Sequence, residues 1–478
     1  MSDIKYDMDF EEMLIESMPE MPPADISHTV TPWRKAMNMI LWGMGLTTVT
    51  FNFLLLQYIL PTIGILLMVM GFQMLRSENK WFKASFVVSI LQLLTIIIVL
   101  ISNTIAVAET DDFMVFLSVV NVAIDFAQYF CFWRALVALK TKSELEIKTS
   151  SAGGLIIWYA IMCALAIVQY VGLIIAGILL IIYIIVIRNI YKLSKQVDKA
   201  GYCMAAAPVL IEGRKITAIV VGVLALGFFC GYTFGSSYDM DWQLFKAGEN
   251  KEVIQIKSDL VNKGVPAHIL DDMTDQEILE CKGFKNIIVE SRNHFDGQLN
   301  ITGVGIELAG QREQWKLVQH FKWADDEKFW GTESVQIWPA YRNFDGWWGD
   351  PAQVSGRVFY EDGDDTYVAP YHYLGQETFT YQTTMFGKRT STDLFATFSM
   401  PNQVKNRRGY VTYNIKEMED GMIVDSWMNY THQVAPLQYP AMTAMEKRMV
   451  VSWNDALPFV TVQDALQFYR YNGKVETW

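Results

Sequence analysis

GGLIIWYAIMCALAIVQYVGLIIAGILLIIYIIVI, residues 153–187, runs for 35 residues without a charged side chain, and Arg188 ends it. At about 1.5 Å per residue a helix of that length reaches about 50 Å, whereas the hydrocarbon layer of a bilayer is about 30 Å thick. One span cannot use so much apolar chain. The run is therefore read as two spans, 153–170 and 172–187, broken at Gln169-Tyr170-Val171-Gly172.

Working outward with the same requirement of about 20 apolar residues, further spans fall at 36–56, 59–75, 82–105, 113–137 and 216–235, which makes seven. A second break of the same kind is read at Gln57-Tyr58, ahead of Pro61. The later member of each pair is short, so a re-entrant or steeply angled segment is the alternative there.

Lys and Arg in short loops are retained on the cytoplasmic side. Here they occupy alternate loops: Arg76, Lys80 and Lys83; then Arg134, Lys140, Lys142 and Lys148; then the run from Arg188 to Lys215. The intervening loops contain none, and one is acidic through Glu109, Asp111 and Asp112. With seven spans this puts the amino terminus in the cytoplasm and the carboxy-terminal part outside. Segment 1–34 is acidic and lacks the apolar core of a cleavable signal peptide. Within it, residues 8–20 have the pattern of a short amphipathic helix, a candidate docking element for a cytoplasmic protein.

The spans repeat a motif. Gln57-Tyr58 precedes Gly64-Ile65-Leu66-Leu67 and Arg76, and Gln169-Tyr170 precedes Gly177-Ile178-Leu179-Leu180 and Arg188. Duplication of a helical hairpin is one explanation; chance within an Ile, Leu and Gly alphabet is the other.

Asp125 is the one ionisable residue deep inside a span. Asn121, Asp125 and Gln128 are spaced i, i+4, i+7 and so share one helix face. A charged Asp at mid-bilayer costs about 2.5–3.5 kcal/mol on insertion scales, so this face turns toward other helices. A proton or ion relay is one use for it. Plain interhelical hydrogen bonding, with Asn52 or Gln92 as partner, is the other.

Beyond residue 236 the composition is that of a folded water-facing domain. The first 236 residues carry 16 Lys and Arg against 17 Asp and Glu, and the last 242 carry 23 against 34, so nearly all the net charge of −12 lies in the tail. That balance excludes nucleic acid, whose phosphates need a basic footprint, and opposes tight docking of the tail on anionic lipid. Only Cys281 of the five cysteines lies there, so no disulfide holds the domain together.

Residues 250–263 place apolar side chains on one helical side with Gly264 as a stop, and Thr274-Asp275-Gln276-Glu277 has the capping-box pattern. The pair is read as a helical collar over 237–283. From 284 the periodicity becomes two, at Val304, Ile306 and Leu308, at Val335 and Ile337, at Leu394, Ala396 and Phe398, and at Val411, Tyr413 and Ile415. About nine such strands predict an antiparallel β-sandwich or jelly roll over 284–478. YEDGDDTY, residues 360–367, reads as a hairpin tip, and a final amphipathic helix is expected from about Thr461.

The fold class is thus a polytopic helical membrane bundle, 35–236, followed by an extracytoplasmic β-sandwich with a helical collar. The tail holds ten of the 15 tryptophans; Trp347 and Trp348, bounded by glycines, are the candidate external aromatics for stacking on a sugar or a partner. No GxSxG, HExxH or cysteine–histidine cluster is present, the tail histidines are scattered, and nothing in the spacing calls for a cofactor or metal. The reading is a non-enzymatic plasma-membrane protein, bacterial in style. Its outer domain binds an envelope protein or polysaccharide in a sensory, regulatory or scaffolding role. The alternative is a transporter or channel-like protein using the Asp125 face, and third an envelope enzyme.

Overall fold

A computed structural model describes residues 31–48, 53–107, 111–143, 149–168, 172–201, 207–208, 210–310, 314–325, 327–338, 354–382, 388–416, 423–450, 458–472 and 474–477. The chain divides into two compact units. One comprises residues 1–100 and 110–224, the other 101–109 and 225–478.

Among the described residues seven helices fill the amino-terminal half: α1 Pro32–Thr48, α2 Leu56–Leu75, α3 Lys80–Ser102, α4 Asp111–Ser143, α5 Ser150–Ile167, α6 Leu173–Lys199 and α7 Gly213–Phe234. Six of them, α2 to α7, are long and apolar enough to cross a membrane; α1, at 17 described residues, is shorter. Large side chains such as Ile174, Ile181 and Phe229 stand exposed on them, which suits lipid and not water. This is a membrane protein.

Small residues let α1 and α2 touch. A methyl group added at Gly43 would lie 2.6 Å from the Gly64 carbonyl oxygen, and one at Gly71 would lie 2.8 Å from that of Ala36. Backbone approach of this kind is how membrane helices pack without a hydrophobic drive. The chain turns between these helices at Leu54 and Leu55, both left-handed, so Gln57, Tyr58 and Pro61 lie inside α2 and the turn comes before Gln57-Tyr58. The two copies of the repeated motif differ in packing. Gly64 meets α1, whereas a methyl group at Gly177 would touch nothing within 4 Å.

Polar braces complete the bundle. Asn79 caps α3 by accepting from the Trp81 and Phe82 amides, each at 3.0 Å. Glu78, fully buried, accepts from Lys142 at 2.7 Å. Trp158 Nε1 donates to the Leu179 carbonyl at 2.8 Å, and Tyr183 Oη to that of Met44 at 2.7 Å.

In the second unit the end of α3 meets α7 at glycines. Gly227, Gly231 and Gly235 face Ile101, Thr104 and Ile105, and the Ala106 amide donates to the Gly235 carbonyl at 2.7 Å. The collar follows as α8 Lys251–Asn262, α9 Ala267–Asp272 and α10 Asp275–Glu280. Gly264, at φ +105°, stops α8, and Thr274 with Glu277 forms the full capping box of α10.

Thirteen strands then form two antiparallel sheets among the described residues: β1 Gln243–Leu244, β2 Ile287–His294, β3 Leu299–Glu307, β4 Gln314–Trp323, β5 Glu333–Trp338, β6 Ser355–Asp362, β7 Asp365–Pro370, β8 Tyr373–Gln382, β9 Lys388–Phe398, β10 Lys405–Lys416, β11 Ile423–Gln433, β12 Phe459–Tyr471 and β13 Lys474–Thr477. The sheet orders are β1-β7-β6-β10-β4-β3-β2 and β13-β12-β11-β5-β9-β8. Among the described residues a 3-10 turn, Phe295–Gly297, and a short α-helix, α11 Ala444–Met449, interrupt the strands.

The sandwich core includes Leu317, Phe321, Trp323, Val411, Tyr413, Tyr430, Leu466 and Phe468. A second core lies between the seven-stranded sheet and the collar, where Val304, Val318, Phe359 and Tyr410 meet Val253, Leu260, Ile269 and Ile278. The 360–367 hairpin forms as expected, with Gly363 at φ +63° in its turn. The helix expected from Thr461 does not form. Residues 459–471 are β12, held by a ladder to β11 that runs from Phe459 with Gln433 to Tyr469 with Ile423. Long-range pairing has overridden a locally helical pattern.

Candidate functional site

The α4 face with Asn121, Asp125 and Gln128 borders a cavity of about 360 Å3 inside the first unit, which α1, α2, α3 and α5 also line. Asp125 Oδ1 accepts from Gln92 Nε2 of α3 at 2.7 Å, and Oδ2 accepts from Tyr159 Oη of α5 at 2.9 Å. Both contacts donate to the carboxylate oxygens. The Tyr159 ring is held between Phe126, 4.9 Å away edge-on, and Tyr129 at 5.4 Å. Asn52 lies outside the described residues.

Thr47 and Thr48 from α1, Thr95 from α3, Tyr129 from α4 and Trp158 from α5 add polar or aromatic atoms to the lining, which includes one carboxylate and no Lys, Arg or His. Gln128 is 1% exposed, yet neither its amide nitrogen nor its amide oxygen has a partner, and Gln92 Oε1 has none either. Leaving such groups unpaired costs about 1–3 kcal/mol each. Native proteins hold few such groups, and each calls for an explanation such as a bound water, an ion or a functional role.

Asp125 stood out in the sequence because a charge in an apolar span is conspicuous. Tyr159, Thr95 and Trp158 did not, since a span's sequence says nothing about which of its faces meets α4. The one signal was the Trp158-Tyr159 pair in mid-span.

In the second unit Trp347 and Trp348 lie outside the described residues, as do residues 8–20. Another aromatic pair is described. Trp338 and Trp427, paired across β5 and β11, stack with centroids 6.1 Å apart and planes 15° apart. On the same sheet face Gln336 donates to Asp393 at 2.7 Å, Asn429 to Gln336 at 2.8 Å and Gln463 to Asn429 at 3.2 Å. The regular spacing of Val335 and Ile337 drew attention to the inward face and away from this one.

Three tail histidines meet separate carboxylates, and the His268 ring packs edge-on against that of His320 at 5.2 Å. His294 meets Asp464 at 2.9 Å, His320 meets Asp272 at 3.0 Å, and His432 meets Glu333 at 2.9 Å. Burial pulls the His432 pKa down, but Glu333 and Glu327 outweigh it and the net direction is up. Burial, opposed by Lys316 and reinforced by Glu280 and Glu277, pushes the Cys281 thiol up to about 12, an inert state. Among the described residues no three His, Cys, Asp or Glu side chains are grouped to hold a metal ion. No protein-family model matches this chain, and no curated protein matches it.

Proposed function

We propose that this protein binds a small, positively charged, hydrogen-bonding solute inside its helical half, at Asp125, and handles it in the manner of a transporter. The observation that carries this reading is the unpartnered, buried Gln128 amide that lines, with Asp125, a cavity to which no Lys, Arg or His contributes. A volume of about 360 Å3 falls at the small end of ligand pockets, which run to about 300–1,000 Å3. The alternation of basic loops supports an orientation with the β domain outside the cell membrane.

The test needs no known solute. In a cysteine-free background, Gln128→Cys is exposed to small methanethiosulfonates of opposite charge in proteoliposomes. The cationic reagent labels faster than the anionic one, and Asp125→Asn removes that preference. Equal labelling by both reagents, or none by either, would refute the reading.

A second reading is favoured by the Trp338–Trp427 stack, since partly exposed aromatic faces suit sugar rings. It gives the β domain an envelope polysaccharide as partner. Loss of polysaccharide retention by the full chain in Trp338→Ala/Trp427→Ala checks it; retention equal to wild type counts against it.

A further inference from the structure

We infer that the groove between α1 and α6 is a site for one anionic glycerophospholipid. The groove encloses about 540 Å3 and shares no lining residue with the Asp125 cavity. Its walls change character along the helices. Trp42, Ile184 and Ile187 line the apolar part, with Trp42 69% and Ile184 55% exposed. At the other end stand Asn38, Arg188 and Tyr191.

Arg188 is the first charged residue on α6, after the uncharged run 173–187, so its guanidinium marks the level where hydrocarbon gives way to headgroups. Among the described residues no hydrogen bond or ion pair engages it, and no Asp or Glu lines the groove. Arginine offers a planar fork that matches two phosphate oxygens. The Asn38 amide and Tyr191 hydroxyl supply further donors at the same level. Arg34, Lys35, Lys192 and Lys195 lie on adjoining turns of the same two helices and raise the local positive potential.

The occupant follows from that charge and from depth. A headgroup phosphate without its own cation meets Arg188, while an acyl chain runs past Trp42 and Ile184 into the layer those residues already face. A zwitterionic lipid brings a choline or ammonium that competes for the same phosphate. The groove is also pre-formed. Tyr183 Oη donates to the Met44 carbonyl at 2.7 Å and Trp33 Nε1 to the Ser194 carbonyl at 3.1 Å, which brace α1 against α6 on either side of it.

The experiment uses the full chain in detergent with added phosphatidylglycerol or phosphatidylcholine of identical acyl chains, read by native mass spectrometry. Wild type retains one phosphatidylglycerol in preference to phosphatidylcholine. Arg188→Gln lowers that retention about tenfold, equivalent to about 1.4 kcal/mol, and Lys199→Gln leaves it unchanged. A readout on unaltered α6 uses brominated lipids, with phosphatidylglycerol quenching more of the fluorescence that disappears in Trp42→Phe. Equal retention of the two lipids, or an unchanged Arg188→Gln, overturns the inference. So does a lipid-free dimer that dissociates on Trp42→Ala, which would give the groove to a second copy.

Discussion

Asp272→Ala tests whether the collar is held to the seven-stranded sheet by buried charge. Asp272 ends α9, is 1% exposed, and accepts from Arg408 Nε with both oxygens at 3.0 Å and from the His320 ring at 3.0 Å. His320 Nδ1 has no partner, so removing the carboxylate strips that buried imidazole of its side-chain hydrogen bond. Arg408 keeps only Glu361, at 3.2 Å, as an acidic partner. Breaking a buried pair from one side costs about 3–5 kcal/mol. For a domain of this size 1 kcal/mol moves Tm by about 2–4 °C, which gives a fall of roughly 6–20 °C. The neighbouring Asp271 provides the contrast: its side chain is 69% exposed and meets Lys257 at 3.3 Å. Such a surface pair is worth about 1 kcal/mol at most. The assay is tryptophan-fluorescence melting of the full chain in detergent, with hydrogen exchange over 251–280. A Tm for Asp272→Ala within about 2 °C of that for Asp271→Ala would show that the apolar contacts beneath the collar hold it and the charges do not.

Three other outcomes follow from the same geometry. Gln128→Leu removes an unpaired buried amide, so the bundle should gain about 1 kcal/mol in detergent melting; a loss of stability would mean that the amide is satisfied. Gly71→Leu drives a side chain into the α1 backbone and should deplete folded protein in detergent, whereas Gly177→Leu, with open space at its Cβ, should not, as size-exclusion yield will show. His432 binds its proton more tightly in the folded chain than in the unfolded one, where imidazole titrates near pH 6.5. Its stabilising contribution is therefore complete below about pH 6.5 and is lost as pH rises through the higher folded value. Tm measured from pH 5.5 to 8.5 should fall relative to His432→Gln across that window, and parallel curves would count against it.

The membrane half was legible because one physical quantity, apolar length, governs it. The turn at Leu54 and Leu55 was not, because nothing in an unbroken apolar stretch marks two leucines as left-handed. On α4 the spacing of Asn121, Asp125 and Gln128 put three polar groups on one face without a structure. That Gln92 and Tyr159 would close on the carboxylate depends on which helices are neighbours, and spacing carries no such information. In the β domain β4 was hard to read because both of its faces are buried. Leu317 and Phe321 enter the sandwich core while Val318 and His320 lie under the collar. Alternation fades in such a strand. β12 was misread for a different reason. Val462, Ala465, Leu466 and Tyr469 fit a helical face as well as a strand does, and only pairing with β11 separates the two.

At one end of each sheet the outermost strand is a stub. β1 has two residues and covers β7, and β13 has four and covers β12. A full-length strand left open at those places would offer a row of free amides to any neighbouring copy, and domains tethered side by side on a membrane meet one another at high local density. A fragment that short blunts the edge it covers, over Tyr367 and Val368 of β7 and over Phe468 to Tyr471 of β12. Among the described residues the longer open edges are those of β2 and β8 and the part of β12 before Phe468, and strand-on-strand association has to begin at one of them.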